Sequence, residues 1–284
     1  MRRYQNRSIA IYGMGVTGCS AAKAFSRLRA KVFCWDDDIK IRKKIAKNKN
    51  FVLRKFWLNS AASYRIDNIV VSPGIDIEKC RIKNFLKKNF KKIITDLDLF
   101  FEFNKKNLII SITGTNGKST TCKIIEKILK TAKYNVRTVG NIGNPILSSM
   151  HSKRKCAYVL EVSSYQLQYS KLFRSKHAAI LNISPDHLER HGSIENYVSA
   201  KFKLITNQSK KDFAFVNSKD RYLKNKIKKS KFFSKLINVN PKLTNSFNKK
   251  VVNPYFFSQG NRENLSFIFS ISRKLKLKEN KIFK

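Results

Sequence analysis

"NLIISITGTNGKSTTCKIIEKILKTA", residues 107–132, decides the fold. Ile109 to Thr113 read as an apolar strand, Gly114 to Gly117 as a loop, and Ser119 onward as a helix. Strand, glycine loop and helix in that order open a βα unit of a parallel sheet. Gly117, Lys118 and Ser119 match the end of the phosphate-loop pattern G-x-x-x-x-G-K-[ST], but its first glycine falls on Ile112. The glycine present is Gly114, so the loop is shorter than the pattern by two residues. It still keeps what a phosphate needs. Backbone N–H groups form a cradle, Lys118 reaches terminal phosphates, and the Ser119 hydroxyl suits Mg²⁺.

Upstream, "SIAIYGMGVTGCSAAKAF" (8–25) is another strand, glycine turn and helix. "KVFCWDDD" (31–38) is a strand ending in acids, and "DNIVVSPGI" (67–75) a strand stopped by Ser72-Pro73-Gly74. Downstream, "AYVLEVSSYQ" (157–166), "HAAILNISPDH" (177–187) and "DFAFVNSKD" (212–220) repeat the buried-strand pattern. "NRENLSFIFSISRKLKL" (261–277) reads as a closing helix. The Lys- and Asn-rich stretch 221–250 has weak periodicity and yields no element. No repeat of solenoid period is present. The reading is two successive α/β domains, 1–97 and 98–284, with the boundary near residues 95–105.

The 284 residues are 42% hydrophobic, which supports a packed core. Sixty Lys and Arg against 18 Asp and Glu give a net charge of +42. Such a charge raises a nucleic-acid or membrane partner. The lysines, however, run along the whole chain rather than in one stripe. Lys, Asn, Ile and Phe, all abundant here, have AT-rich codons, so compositional drift accounts for the charge. A polyanionic substrate gains from the positive field either way. Cys19, Cys34, Cys80, Cys122 and Cys156 are odd in number and widely spaced, without C-x-x-C, which fits a reducing compartment. The basic N-terminus lacks the apolar core of a signal peptide, and no uncharged apolar run approaches about 18 residues. The expectation is a cytoplasmic protein without nucleic-acid or membrane partners.

Gly13-x-Gly15-x-x-Gly18 follows a strand and opens a helix, with Asp36 at the end of the next strand. This is the dinucleotide fingerprint in its proper setting. NAD is its default ligand, but a domain of about 95 residues is short for the two-halved NAD fold. Glu161 ends an apolar strand at the edge where parallel sheets bind ligands, a place for an oxygen ligand to a metal. His187 follows another strand end on the same edge. His191 reads as a surface helix residue. Lys201 lies on a helix in "YVSAKFKLI", where spacing alone does not single it out.

Together these stretches resemble the Mur ligase family. "GMGVTGCS", "VVSPGI", "ITGTNGKSTT", "VGNIGNP", "LEVSSYQLQ", "LNISPDHLERH", "SAKFKLI" and, more weakly, "QGNRENL" occur in family order. The short loop is then the family's own. The N-terminal glycine turn with Ser72-Pro73-Gly74, Ser119 after the lysine, and "SSYQLQ" resemble the branch that joins D-glutamate to UDP-N-acetylmuramoyl-L-alanine.

The resemblance implies an N-terminal Rossmann-like UDP-binding domain followed by a central P-loop-type ATPase domain. It implies an ATP- and Mg²⁺-dependent amide ligase acting through an acyl phosphate, as a monomer. Gly114, Thr115, Asn116, Gly117, Lys118, Ser119 and Thr120 would bind ATP, with Asn261 and Asn264 matching the family's H-N-x-x-N. Ser119 and Glu161 would hold one Mg²⁺ and His187 a second. Lys201 matches a carbamylated lysine, and Lys118, His187 and Lys201 form the implied catalytic set. Val16, Thr17, Asp36, Ser72, Pro73, Gly74, Asn141, Ser163 and Gln166 match the UDP-sugar site.

Two positions depart from the family. Gly260 stands where it has histidine, and Asp38 where a basic residue is common. The family also continues into a third Rossmann-like domain of about 100–150 residues, which would be absent here and would leave the central domain incomplete at its C-terminal end. Two other readings follow: a two-domain remnant that binds UDP-sugar or ATP without catalysis, and a dehydrogenase using the N-terminal turn. The dehydrogenase gives no role to Lys118, Glu161 and His187 together.

Overall fold

The computed structural model describes residues 2–48, 51–58, 66–140, 145–149, 155–217, 219–240, 251 and 253–282. The chain divides into two compact units. The first comprises Met1–Phe103, Pro145–Met150 and Tyr169–Leu172; the second comprises Asn104–Asn144, His151–Gln168 and Phe173–Lys284.

The first unit carries β1 (Ser8–Tyr12), α1 (Val16–Arg27), β2 (Lys31–Trp35), α2 (Ile39–Ala46), β3 (Val52–Leu53), β4 (Asn68–Val71), α3 (Lys83–Lys88), β5 (Ile93–Ile94) and α4 (Asp96–Asn104). Its sheet has the order β3-β2-β1-β4-β5, and every pair is parallel. Parallel strands need crossovers, so both faces of the central strands are covered and those strands are mostly apolar. β1 is buried at every position. Tyr12, Phe33, Ile69, Val71, Leu86 and Ile93 share one core cluster. The chain winds from β1 outward to β3, then returns to β4 on the other side of β1. That reversal opens a crevice at the C-terminal ends of β1 and β4, the place where such sheets take ligands.

The second unit carries β6 (Leu108–Thr113), α5 (Lys118–Thr131), β7 (Val136–Gly140), β8 (Ala157–Glu161), α6 (Ser164–Gln168), β9 (His177–Ile180), α7 (Leu188–His191), α8 (Ile194–Thr206), β10 (Phe213–Asn217), α9 (Arg221–Lys228), β11 (Lys235–Val239) and α10 (Gln259–Lys274). The order is β11-β10-β9-β6-β8-β7, again with every pair parallel. Here the reversal flanks β6, with β8 on one side and β9 on the other. Register sets Ile112 beside Glu161 and Thr113 beside Ile180. The loop after β6 therefore opens beside the ends of β8 and β9. Below it, Cys122, Ile125 and Leu129 of α5 share a core cluster with Leu265 and Ile268 of α10.

The stretch 221–250 yields α9 and β11, which the sequence pattern did not reveal. β11 is an edge strand exposed or half-buried along most of its length, so it lacks the apolar run that marks central strands. Residues 241–250 lie outside the described residues.

Candidate functional site

The phosphate loop turns sharply because its backbone needs glycine. Gly117, the N-cap of α5, lies at φ 83°, a region that side chains disfavour. A Cβ there would also overlap the carboxamide of Asn264, which α10 presses against the loop. After Gly117, the first-turn amides of α5 lack intrahelical acceptors and gather at the positive end of the helix dipole.

Three charged groups meet around this turn. Lys118 Nζ donates to the carbonyls of Gly114 (3.1 Å) and Thr115 (2.8 Å). Lys201 Nζ reaches the same Gly114 carbonyl at 2.8 Å. Two lysine amines thus meet on one oxygen, with no carboxylate in either contact. Lys201 is 2% exposed and lies 4.6 Å over the ring of Tyr197. Burial, reinforced by the nearby Lys118 cation and opposed by Asp186, pushes its pKa down to about 7. Its amine is therefore partly neutral at physiological pH. The third group is Glu161, 2% exposed, whose Oε2 accepts from Ser119 Oγ at 2.8 Å.

The Ser119 hydroxyl and Glu161 carboxylate are hard oxygen donors, the chemistry Mg²⁺ takes. Among the described residues no three His, Cys, Asp or Glu side chains gather for a metal. An ion at Ser119 and Glu161 would complete its shell with phosphate oxygens and water.

His187 sits on the same edge at φ 53°, its side chain 45% exposed. Its Nε2 is 3.4 Å from Asp186 Oδ2, and its ring packs 4.9 Å from that of Tyr165. His191 corrects the sequence reading. It is buried, not on the surface, and its Nε2 lies 3.0 Å from Ser164 Oγ. Burial, with Arg190 and Lys201 nearby, depresses its pKa to about 4. Ser163 and Gln166 cap α6 reciprocally. Ser163 Oγ accepts from Gln166 N at 3.2 Å and Gln166 Oε1 accepts from Ser163 N at 3.1 Å, a capping box. Asn141 lies outside the described residues.

Sequence reading missed two contributors. Asn182, just past β9, hydrogen-bonds the loop at Thr115 and Asn116. Tyr255 places its hydroxyl 3.1 Å from Thr120 Oγ1 and accepts on its carbonyl from Asn261 Nδ2 at 2.7 Å. Asn182 stands inside a stretch already singled out, two residues after an apolar strand end. Tyr255 follows a stretch without periodicity and left no signal.

In the first unit, the Gly13–Gly18 turn sits at the β1/β4 crevice. Ser72 Oγ donates to the Gly13 carbonyl at 2.6 Å. Asp36 Oδ2 accepts from Met14 N at 2.6 Å and Oδ1 from Asp38 N at 2.9 Å, so both oxygens serve backbone amides. Val16 opens α1 and is exposed, Thr17 and Pro73 are half-buried, and Gly74 is exposed. Asp38 caps α2 by accepting from Lys40 N at 2.8 Å. Arg42 lies against the same strand end. Its Nη1 donates to the carbonyls of Asp36 (2.7 Å) and Asp37 (2.8 Å), and its guanidinium lies 4.8 Å over Trp35.

Comparison with known proteins bears on both units. A family model described as the Mur ligase middle domain matches residues 112–270, and one described as the Mur ligase MurD-like N-terminal domain matches residues 7–94. The chain is 38% identical over 209 residues to a UDP-N-acetylmuramoylalanine–D-glutamate ligase of Wolbachia pipientis wMel, covering 72% of this chain and 40% of that protein. To the ligase of the same name from Clostridioides difficile (strain 630) it is 36% identical over 225 residues, covering 78% and 50%. The chain spans about half the length of the relatives it matches. Among solved structures, it resembles a UDP-N-acetylmuramate:L-alanyl-gamma-D-glutamyl-meso-diaminopimelate ligase from Neisseria meningitides (TM-score 0.60, 14% identity, 95% of this chain and 94% of that one). It also resembles a MurF ligase from Thermotoga maritima in complex with ADP (TM-score 0.52, 13% identity, 97% and 62%). At these identities the likeness concerns the fold.

Proposed function

The chain belongs to the Mur ligase family, and on that premise we propose that it serves in the ATP-dependent addition of D-glutamate to UDP-N-acetylmuramoyl-L-alanine. The reaction joins a carboxylate to an amine. An oxygen of the alanyl carboxylate attacks the γ-phosphorus, ADP leaves, and an acyl phosphate results. The D-glutamate nitrogen then attacks that carbonyl carbon, loses a proton, and inorganic phosphate departs. The protein's task is to neutralise phosphate charge and hold the partners in line.

The observation that carries the reading is the convergence of Lys118 and Lys201 on the Gly114 carbonyl beside the Ser119–Glu161 pair. On binding ATP, Lys118 would exchange two carbonyl acceptors for β- and γ-phosphate oxygens, assisted by the amides that open α5. Ser119 and Glu161 would hold one Mg²⁺ and His187 another, with Lys201 contributing as a carbamate. Its lowered pKa favours the neutral amine that reacts with CO₂. When bound, Mg²⁺ supplies charge neutralisation on the phosphates. Asn261 and Asn264 would meet the nucleoside side, where Tyr255 also lies.

In the first unit, Val16, Thr17, Asp36 and Ser72-Pro73-Gly74 would meet the UDP-sugar. Asp36, whose carboxylate serves the Met14 and Asp38 amides, would hold the glycine turn in shape beside the diphosphate. Calorimetric titration tests the proposal: ATP–Mg²⁺ and the UDP-linked alanyl sugar bind, and NAD does not. NAD competing with UDP, or no heat from ATP, overturns it. ATP-dependent transfer of labelled D-glutamate to the alanyl sugar is the corresponding activity assay.

A further inference from the structure

The shortened loop raises a mechanical problem. Four residues, Gly114 to Gly117, separate β6 from α5. In the longer pattern the loop's own amides wrap the phosphate. Here Thr115 and Asn116, the loop's two central residues, have their amides turned elsewhere. Asn182 Oδ1 accepts from Asn116 N at 2.9 Å and from Thr115 N at 3.2 Å. The Asn182 backbone carbonyl also accepts from Thr115 N at 3.0 Å. Asn182 Nδ2 closes the ring by donating to the Asn116 carbonyl at 3.2 Å. A carboxamide offers an acceptor and a donor on two separate atoms, so it can bond an amide and a carbonyl of the loop at once.

The contact extends on both sides. Leu181 N donates to the Thr113 carbonyl at 2.9 Å, and Ser184 N donates to Thr115 Oγ1 at 3.0 Å. The segment from Leu181 to Ser184 is thus hydrogen-bonded along the loop, and three residues later the same segment carries His187.

We propose that Asn182 is a positioning residue that withdraws the Thr115 and Asn116 amides from the anion, leaving phosphate to the α5 N-terminus, and that ties this loop to the segment bearing His187. The inference rests on reading this loop as the ATP site. Asn182 does not touch the nucleotide. It fixes where the loop's donors point, and it makes the loop and the His187 segment move as one body. Aspartate at 182 keeps the shape and the acceptor. It loses the donor to Asn116 O and brings a negative charge within one residue's reach of the phosphates.

Amide hydrogen exchange on the ligand-free chain provides the first test. Thr115 and Asn116 exchange slowly without nucleotide, whereas Lys118 to Thr120 exchange fast and slow down only when ATP is added. In Asn182→Ala, Asn116 becomes fast, while Thr115 stays slow on the backbone carbonyl of residue 182. In Asn182→Asp at pH 7.5, ATP affinity drops at least tenfold. The gap to wild type then narrows as salt is raised, because the added carboxylate acts on phosphate through a screened field. A residue important only for stability would lower the melting temperature without that salt-dependent recovery. Fast exchange at Thr115 and Asn116 in the ligand-free wild type, or wild-type ATP affinity in Asn182→Asp at pH 7.5, overturns the proposal. Failure of the nucleotide reading looks different: wild type ignores ATP, while Thr115 and Asn116 remain slow and Asn116 still responds to Asn182→Ala.

Discussion

Two glycine turns in this chain follow the same grammar and do different things. Each follows the strand at its sheet's point of reversal, and each opens a helix. In the first unit the turn is held by neutral and acidic partners. Ser72 binds the Gly13 carbonyl and Asp36 binds the Met14 amide. In the second unit two ammonium groups converge on the Gly114 carbonyl, and a buried carboxylate takes the Ser119 hydroxyl. The first arrangement shapes a surface; the second concentrates charge. A turn that only holds a substrate needs close backbone approach. A loop where phosphoryl charge develops needs fixed cations, because preorganised charge is what stabilises that transition state. Strand-glycine-helix therefore says where a ligand sits, and the flanking strand ends say what is done to it.

The comparison breaks most sharply at Lys118. Lys118→Ala should lower ATP affinity by about 100-fold, since charge-assisted hydrogen bonds contribute roughly 1.5–3 kcal/mol each. The circular dichroism spectrum should not change. Calorimetry showing unaltered affinity would mean that the lysines pack the loop and do not serve phosphate.

The first turn answers to shape instead. A Cβ on Gly18 would overlap the Gly13 carbonyl oxygen. Gly18→Ala should destabilise the first unit by about 2–3 kcal/mol, the cost of overpacking a rigid site, and weaken UDP-sugar binding with it. A wild-type urea midpoint for Gly18→Ala would show that this turn has slack.

Acid distinguishes the units further. All four histidines lie beyond residue 150, and His177 is buried between Phe213 and Phe215 with Nδ1 lacking a hydrogen-bond partner. Burial, with Lys176 nearby, lowers its pKa to about 4. A depressed histidine pKa means that the folded state resists protonation. Its contribution is present above about pH 6.5 and fades as pH falls toward 4. By pH 5 the second unit should lose roughly 2 kcal/mol on this account. His177→Phe should flatten that slope, as read by thermal melts from pH 7 to pH 5. An unchanged slope assigns the acid sensitivity to other groups.

The smallest effect is expected at Ser72→Ala, which removes one neutral hydrogen bond to Gly13. About 1 kcal/mol of stability and a few-fold loss of UDP-sugar affinity are expected. A loss as large as that of Lys118→Ala would place Ser72 in direct contact with the ligand.

The sequence by itself determined strands β1, β2, β4, β6, β8, β9 and β10, the glycine turns, the Lys118–Ser119 loop and the placing of Glu161 and His187 at or after strand ends. These features are local: apolar runs, glycine spacing, and a charged residue where the run stops. Lys201 came from the family resemblance, because one lysine among many carries no local mark. Its burial against Tyr197 and its bond to Gly114 come from α8 packing beside the loop.

Only the tertiary structure decided the partners. Asn182 reaches a loop 66 residues earlier in the chain, Tyr255 reaches Thr120, and Arg42 reaches the carbonyls of Asp36 and Asp37. His191, which looked solvent-facing, is buried against Ser164. The edge strand β11 escaped notice because exposure removed its apolar signature. The physical reason is shared. A parallel sheet delivers the C-terminal end of every strand to one edge, so neighbours at the site are set by strand order. Strand order is fixed by crossovers tens of residues long, whereas sequence patterns report contacts only a turn or a pleat away.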